Sequence, residues 1–500
     1  MSEGMYRPRT YGGWHRPSTT GIAGLSSLAT GVLLGTVVVT VLVQRRAGIV
    51  GALVVAATGA AVVAAISVRD ADGRTIGERA MGRINWWRTR MSGSHGYRSG
   101  ALGRTRWGTC QLPGVLAPST LLEAQDGYGR PFAIIRVPSV RHYAVVFAAQ
   151  PDGESLVDPS QIDVQVARWG QWLAGLGEDP SIVGASVCVE TVPDTGRRLR
   201  REVETHVDES SAQIAREMMD AIVAELPVGS AQIRAWVTVT WTATTRGGRR
   251  MEADEMCRDI AAKVPGLSQG LGGTGAGQVV PVDAARLAQM VRAAYDPAAG
   301  PLFEDAAVAG QHVEVDWAQA GPMSAVESWD HYVHDSGLSV TWEMNRAPSG
   351  LVRSATLARL LGPDAAVPRK RVTVLYRPVD IARTAAVAEA GVNHALVRAR
   401  STHDPSARVL RARDEAIKTA AEEAAGAGLE DFAMLVTATA SPDVYMPDLV
   451  ATVESLGAAS RVRLRRVYGS QAAAFAMGLP VGLVPSAHSD VPEFLRRWAS

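Results

Sequence analysis

Two histidines three residues apart, His331 and His334, lie in Trp329-Asp330-His331-Tyr332-Val333-His334-Asp335, the densest polar and aromatic cluster in the chain. Two imidazoles with Asp330 or Asp335 could hold a divalent metal, because imidazole nitrogen and carboxylate oxygen are ordinary zinc donors. The stretch lacks the HExxH spacing that sets two ligands and a general base on one helical face. A structural loop is therefore the expectation. Gly270 to Gly275 spells GxGxxG. A dinucleotide fingerprint must lead from a strand directly into a helix. Here Val279-Val280-Pro281 follows instead, which predicts a loop. Arg461, Arg463 and Arg465 share one face of a predicted strand, alternating with Val462 and Leu464. That pattern suits a solvated face or a salt-bridge ladder better than a phosphate tract.

Other chemistries are excluded more firmly. A Walker A loop ends in Gly-Lys-Ser/Thr, its lysine on the phosphates. The three lysines, Lys263, Lys370 and Lys418, follow Ala262, Arg369 and Ile417. The three cysteines, Cys110, Cys188 and Cys257, are odd in number and far apart, so neither a disulfide framework nor a cysteine zinc site is expected. No GxSxG elbow occurs. The residues assign no catalytic, metal or cofactor site, and the expectation is a protein that is not an enzyme.

The elements that would position such groups alternate between strand and helix. Leu121–Ala124 and Phe132–Val137 flank Asp126-Gly127-Tyr128-Gly129, a hairpin turn. Tyr143–Ala149, Ile182–Val189 and Ile233–Thr244 read as strands. Ile162–Leu176, Ala212–Leu226, Glu252–Val264 and Asp283–Tyr295 read as helices. A second block adds strands at Leu338–Met344, Val372–Tyr376, Phe432–Thr439 and Arg461–Val467. Its helices fall at Leu351–Leu361, Ile381–Arg400, Ser406–Ala425, Met446–Leu456 and Gln471–Met477. The class is α+β, with two ferredoxin-like α/β sandwich halves at residues 116–300 and 301–500. The strings Val239-Thr240-Trp241 and Val340-Thr341-Trp342 hint at an internal repeat.

Ahead of this body lie two charge-free stretches. Gly21–Val43 has 23 residues and Ala47–Val68 has 22, separated by Gln44, Arg45 and Arg46. A helix rises ~1.5 Å per residue, so each reaches across a ~30 Å hydrocarbon core. Residues 21–68 therefore read as a two-helix transmembrane hairpin, after a tail at 1–20 and before a basic juxtamembrane segment at 69–115. Gly31 and Gly35 form a GxxxG pair. Ala52, Ala56, Ala60 and Ala64 recur every fourth residue, the small-residue spacing that lets helices approach in lipid. Neither span holds an ionisable group, as an ion or proton pathway would need.

Charge is divided along the chain. Residues 1–107 carry fourteen Arg and four acids, whereas the rest has 37 basic and 46 acidic residues. An acidic body argues against direct nucleic-acid binding, which needs a basic surface to displace counterions. Arg7, Arg9 and Arg16 precede the hairpin and nine Arg follow it up to position 106, against Arg45 and Arg46 in the turn. This bias places both termini in the cytoplasm. Trp14, Trp86 and Trp87 suit an interfacial aromatic belt. Ile76, Ala80, Ile84, Trp87 and Met91 share a helical face, with Arg79, Arg83 and Arg90 elsewhere, as in a helix lying on anionic headgroups.

Several strings resemble an actinobacterial family of membrane proteins of conjugative, type IV-like transfer elements. They are Tyr11-Gly12-Gly13-Trp14, Gly108–Gly114, Trp169–Leu176, Ser339–Met344 and Arg465–Gln471. The hairpin is similar to the small two-helix inner-membrane subunit of type IV secretion systems. Residues 119–483 resemble the N-terminal, non-nucleotide domain of the conjugation ATPase, with Arg461–Val467, Phe475 and Leu479-Pro480 at its end. The type VII secretion component EccE shares the two N-terminal spans. The resemblance implies a scaffold at the cell inner membrane with no cofactor, whose partners are a secretion ATPase, other channel subunits and the lipid bilayer.

Overall fold

The computed structural model describes residues 11, 27–68, 75–100, 103, 110–151, 153, 157–208, 210–225, 230–244, 247–348, 352–401 and 404–488. Two compact units are distinguished. One comprises residues 1–12, 93–381 and 428–487, and the other residues 13–92, 382–427 and 488–500.

The chain begins with α1 (Ser27–Ser67) and α2 (Ile76–Met91), followed by β1 (Gly96–Arg98), β2 (Thr120–Gln125), β3 (Pro131–Val137) and β4 (His142–Gln150). Next come α3 (Pro159–Leu176), β5 (Ile182–Pro193), α4 (Arg197–His206), α5 (Gln213–Glu225), β6 (Ala231–Thr242), α6 (Ala253–Gly270) and β7 (Gln278–Pro281). Then follow α7 (Ala284–Tyr295), α8 (Ala299–Val308), β8 (Ser324–Glu327), β9 (Tyr332–His334), β10 (Gly337–Arg346), α9 (Ala358–Leu361) and β11 (Arg369–Pro378). The last elements are α10 (Ile381–Arg400), α11 (Ala407–Ala424), β12 (Glu430–Ala440), α12 (Met446–Ala459), β13 (Arg463–Arg466) and α13 (Gln471–Met477).

The body is built around one 13-stranded antiparallel sheet. In its first half the spatial order is β7-β4-β6-β5, and in its second β13-β10-β12-β11. Numbered within each half, this is 4-1-3-2, the ferredoxin-like arrangement in which each helical crossover skips an antiparallel strand. In both halves the link between the second and third strands is a helical pair: α4 and α5 in the first, α10 and α11 in the second. The two outer strands β5 and β11 pair with each other, Ala185–Thr191 against Lys370–Tyr376.

Alternation along the strands sends side chains to two cores. On β4, Ala144, Val146 and Ala148 join a core under α7 and α13 that also holds Ala325 and Tyr332 of the second half. Tyr143, Val145 and Phe147 face the other way, toward α3 and α6. The second half has its own opposite-face core, built on Trp342, Val436 and Val453. The shared core makes the two halves one folding body.

Where the halves meet, that shared core contains charge. Glu190 on β5 takes Arg369 Nε on Oε1 at 3.0 Å and Arg371 Nη2 on the same oxygen at 2.7 Å. Arg369 also donates to the Ala293 carbonyl, and the Arg371 guanidinium lies 5.4 Å from the Phe475 ring centre. Burial pushes the Glu190 carboxyl up, but the two arginine charges outweigh it and hold the group down at about 2. Beside the triad, Thr373 Oγ1 donates to the Gly478 carbonyl at 2.6 Å, so the chain after α13 is tied to the seam.

Some expectations need correction. The boundary at 300/301 falls inside α8, and the sheet is continuous between the halves. The helix expected over Leu351–Leu361 is a 3-10 turn at Ser354–Leu357 followed by the single turn α9; Leu351 lies outside the described residues. The repeat is present in topology, but the Val-Thr-Trp strings do not mark it. One lies in β6, the third strand of its half, and the other in β10, the first of its half. Both strings report strands with alternating core positions rather than equivalent places.

Glu190→Gln removes the charge that both guanidiniums need while leaving them buried. It is expected to cost about 3–5 kcal/mol, read as a large fall in unfolding temperature of the detergent-solubilised chain. An unchanged midpoint would mean that the seam does not depend on this pairing.

Candidate functional site

The feature with the clearest functional geometry is α1. It is two helices joined at Gly48, whose φ of 74° and ψ of −174° leave the helical region. A left-handed φ favours glycine because it has no Cβ. Ala29–Arg46 and Gly48–Ser67 are each long and apolar enough to cross a membrane. The chain reverses at Gly48, not at Gln44-Arg45-Arg46, which continue the first arm. Residues 21–26 at the start of the expected first span, and 69–74 after the second, lie outside the described residues.

The arms touch along a seam. Its less exposed positions include Ala29, Val32, Thr36, Thr40 and Val43 on the first arm, and Ala52, Val55, Ala56, Gly59, Val63 and Ile66 on the second. Gly59 lies where the arms come close, since an added Cβ there would overlap the Thr36 side chain. The Thr36 hydroxyl turns back to the Val32 carbonyl at 2.7 Å, so no donor is left open there. This differs from the expected small-residue faces. Gly31 and Gly35 are exposed, and a Cβ at Gly35 would meet nothing. Ala52 is buried and Ala56 half-buried, but Ala60 and Ala64 are exposed. The reason is helical periodicity: a step of four residues overshoots a full turn by ~40°, so a strict every-fourth stripe winds off the contact face. Leu34, Val38, Leu42, Val50 and Leu53 project outward as an apolar mantle.

α2 is fixed at its start by a capping box. Glu78 N–H donates to Thr75 Oγ1 at 3.2 Å and Thr75 N–H to Glu78 Oε2 at 3.1 Å. It contacts α1. Gly77, Gly82, Trp86 and Thr89 are its less exposed positions, while Ile76, Ile84, Trp87 and Met91 are exposed. Arg79, Arg83 and Arg90 are exposed too. Two of the expected interface tryptophans thus have different surroundings, Trp86 half-covered and Trp87 open. Trp14 lies outside the described residues.

The histidine pair does not converge. Rather than a loop, Tyr332–His334 is strand β9, and the imidazoles have separate partners. His334 is fully buried, bonded through Nδ1 to the Tyr295 carbonyl and through Nε2 to Ser339 Oγ. Burial in this aromatic nest lowers it to about 4, so it is neutral at pH 7. His331 is half-exposed against Asp330, which also takes Arg466 at 3.1 Å. No metal-holding group of His, Cys, Asp or Glu occurs among the described residues. The GxGxxG glycines close α6 and turn into β7, a helix-to-strand order opposite to a dinucleotide site. Arg465 pairs with Glu343 across β13 and β10.

Sequence reasoning missed Glu430, the first residue of β12. Both carboxyl oxygens are buried with no hydrogen-bond partner among the described residues, and burial raises the group to about 7. It diagonally neighbours Tyr376, whose pairing partner is Phe432. Nothing in the local sequence, Gly-Leu-Glu-Asp-Phe, separates a buried acid from an exposed one.

Residues 18–78, which contain the α1 hairpin, match the family described as a domain of unknown function (DUF8461). No curated protein matches the chain.

Two predictions follow from these geometries. Gly59→Leu pushes the arms of α1 apart and lowers the unfolding temperature in detergent, whereas Gly35→Leu leaves it nearly unchanged; equal effects would refute the seam. Glu430 keeps its proton in the folded chain up to pH ~7, while the unfolded chain loses it near the ordinary carboxylate value. Stability contributed by this group therefore falls as pH rises from about 4.5 to 7. Glu430→Gln is expected to stabilise the chain at pH 8, by about 3 kcal/mol at most, and to do little at pH 4.5. A pH-independent effect would remove the assignment.

Proposed function

We propose that this chain is a non-enzymatic scaffold anchored in a cell inner membrane, where it holds a separate secretion ATPase at a type IV-like conjugative apparatus. The observation that carries the reading is the apolar hairpin joined to α2. Two arms close on a tight seam and turn a mantle of Leu and Val outward. The helix after them exposes Ile76, Ile84, Trp87 and Met91 next to arginines. A hairpin of this build spans lipid, and an amphipathic helix with arginine flanks rests in the headgroup layer. The arginine bias puts both termini on the cytoplasmic side.

The body supports a mechanical role. The charges buried at the junction, Glu190, Arg369 and Arg371, pair with one another, and His334 is neutral and enclosed. A motor acting on a membrane channel needs a fixed platform, and a continuous sheet with a shared core is stiff. Resemblance to the non-nucleotide domain of the conjugation ATPase, together with the lack of a Walker lysine, supports a motor supplied by another polypeptide. The acidic surface would meet a basic partner face by charge complementarity.

The test is gentle detergent extraction of the tagged chain from its own host, followed by identification of what co-purifies. A Walker-containing secretion ATPase at comparable abundance is expected, and its kind separates the type IV-like assignment from an EccE-like place in type VII secretion. Recovery of the chain alone, even after crosslinking, would defeat the platform reading.

A further inference from the structure

Away from the hairpin and the seam, one edge of the first half carries a cleft of about 430 Å³. Arg136 at the end of β3, Arg141 in the β3–β4 turn and Arg250 before α6 all line it, with Pro138, Tyr143 and Met251. The backbone holds these segments in register. Arg141 N–H donates to the Pro138 carbonyl at 3.3 Å, Ala243 N–H to the Arg141 carbonyl at 3.0 Å, and Met251 N–H to the Ala243 carbonyl at 2.9 Å. Arg141 sits at a φ of 57°, a left-handed conformation uncommon outside glycine, asparagine and aspartate.

The charge arrangement is unusual for a surface of net negative body. Among the described residues no carboxylate lies within ion-pair distance of Arg136, Arg141 or Arg250. Neighbouring Arg249, by contrast, pairs with Glu255 at 2.5 Å. Arg136 instead stands opposite Tyr143, a residue only 3% exposed, across the β3–β4 pair. Glu252 and Asp254 also line the cleft without pairing to these arginines, so its lining has a net positive charge. Glu252 is the N-cap of α6 and makes no side-chain cap, which adds open backbone N–H groups to the same wall.

We propose that this cleft binds a phosphate-bearing group, with the guanidiniums of Arg136, Arg141 and Arg250 as its donors. Guanidinium forks match phosphate oxygens in pairs of hydrogen bonds. The volume lies within the range of small-ligand sites, and the apolar Pro138 and Met251 leave room for the part of the ligand beyond its phosphate. This site is independent of the scaffold reading.

Binding is measured on the full chain in neutral detergent, with inorganic pyrophosphate as one probe and short-chain phosphatidylglycerol, against phosphatidylcholine, as the other. The triple variant R136Q/R141N/R250Q keeps a residue tolerant of left-handed φ at 141. Saturable binding at least tenfold tighter in the natural chain than in the variant is expected for one probe, at matched ionic strength. Pyrophosphate alone would identify a soluble phosphorylated ligand, and phosphatidylglycerol alone a lipid headgroup. Equal binding by both chains, or none to either probe, overturns the site. Should the triple variant unfold, R250Q alone, at an exposed position, is expected to weaken binding severalfold, and no change would count against the proposal.

Discussion

The pairing of β5 with β11 is the constraint on which the body rests. Each ferredoxin-like half ends in an outer strand with unpaired backbone groups, and an open edge of that kind invites association with any other strand. Here the two edges satisfy each other over seven residue pairs, Ala185–Thr191 against Lys370–Tyr376. The cost is a carboxylate and two guanidiniums taken out of water at the junction. Their mutual geometry offsets that cost, and Phe475 and the chain beyond it seal the charges from solvent. Desolvation can cancel much of the Coulombic gain of a buried ion pair, and this one lies where the choice between strands is made.

Much of the body was legible because its strands and helices carry strong periodicity. The strand read at Val372–Tyr376 lies within β11, and the helix read at Gln471–Met477 coincides with α13. Short elements such as β1, β8 and β9 escaped, since three or four residues hold too little pattern. α4 escaped for a different reason: Arg-Arg-Leu-Arg-Arg is almost entirely polar, and its helix buries little. The ferredoxin-like class could be read, but the joining of both halves into one sheet could not. It depends on Glu190 meeting Arg369 and Arg371, residues about 180 positions apart.

The hairpin shows the same limit at finer scale. Its existence follows from two uncharged stretches, whereas its seam requires the phase of each helix. A four-residue stripe of alanines looks like a contact face in a written sequence. On a helix with 3.6 residues per turn, the true seam alternates steps of three and four. Gly59 therefore meets Thr36, while Ala60 and Ala64 turn outward. The turn position was displaced likewise, because charge marked Arg45 and Arg46 but backbone freedom belonged to Gly48.

The junction has a polarity. All the negative charge of the triad sits on β5 and all the positive charge on β11. Two copies of β5 laid edge to edge would bring carboxylate toward carboxylate, and two copies of β11 would crowd four guanidiniums without a counter-charge. Like halves from separate chains are thus poor mates, and unlike halves are good ones. The duplicated fold behaves as a plug and socket carried on one polypeptide: tethering makes the correct union the nearest, and a neighbouring chain can offer an acceptable substitute only by exchanging the complementary half.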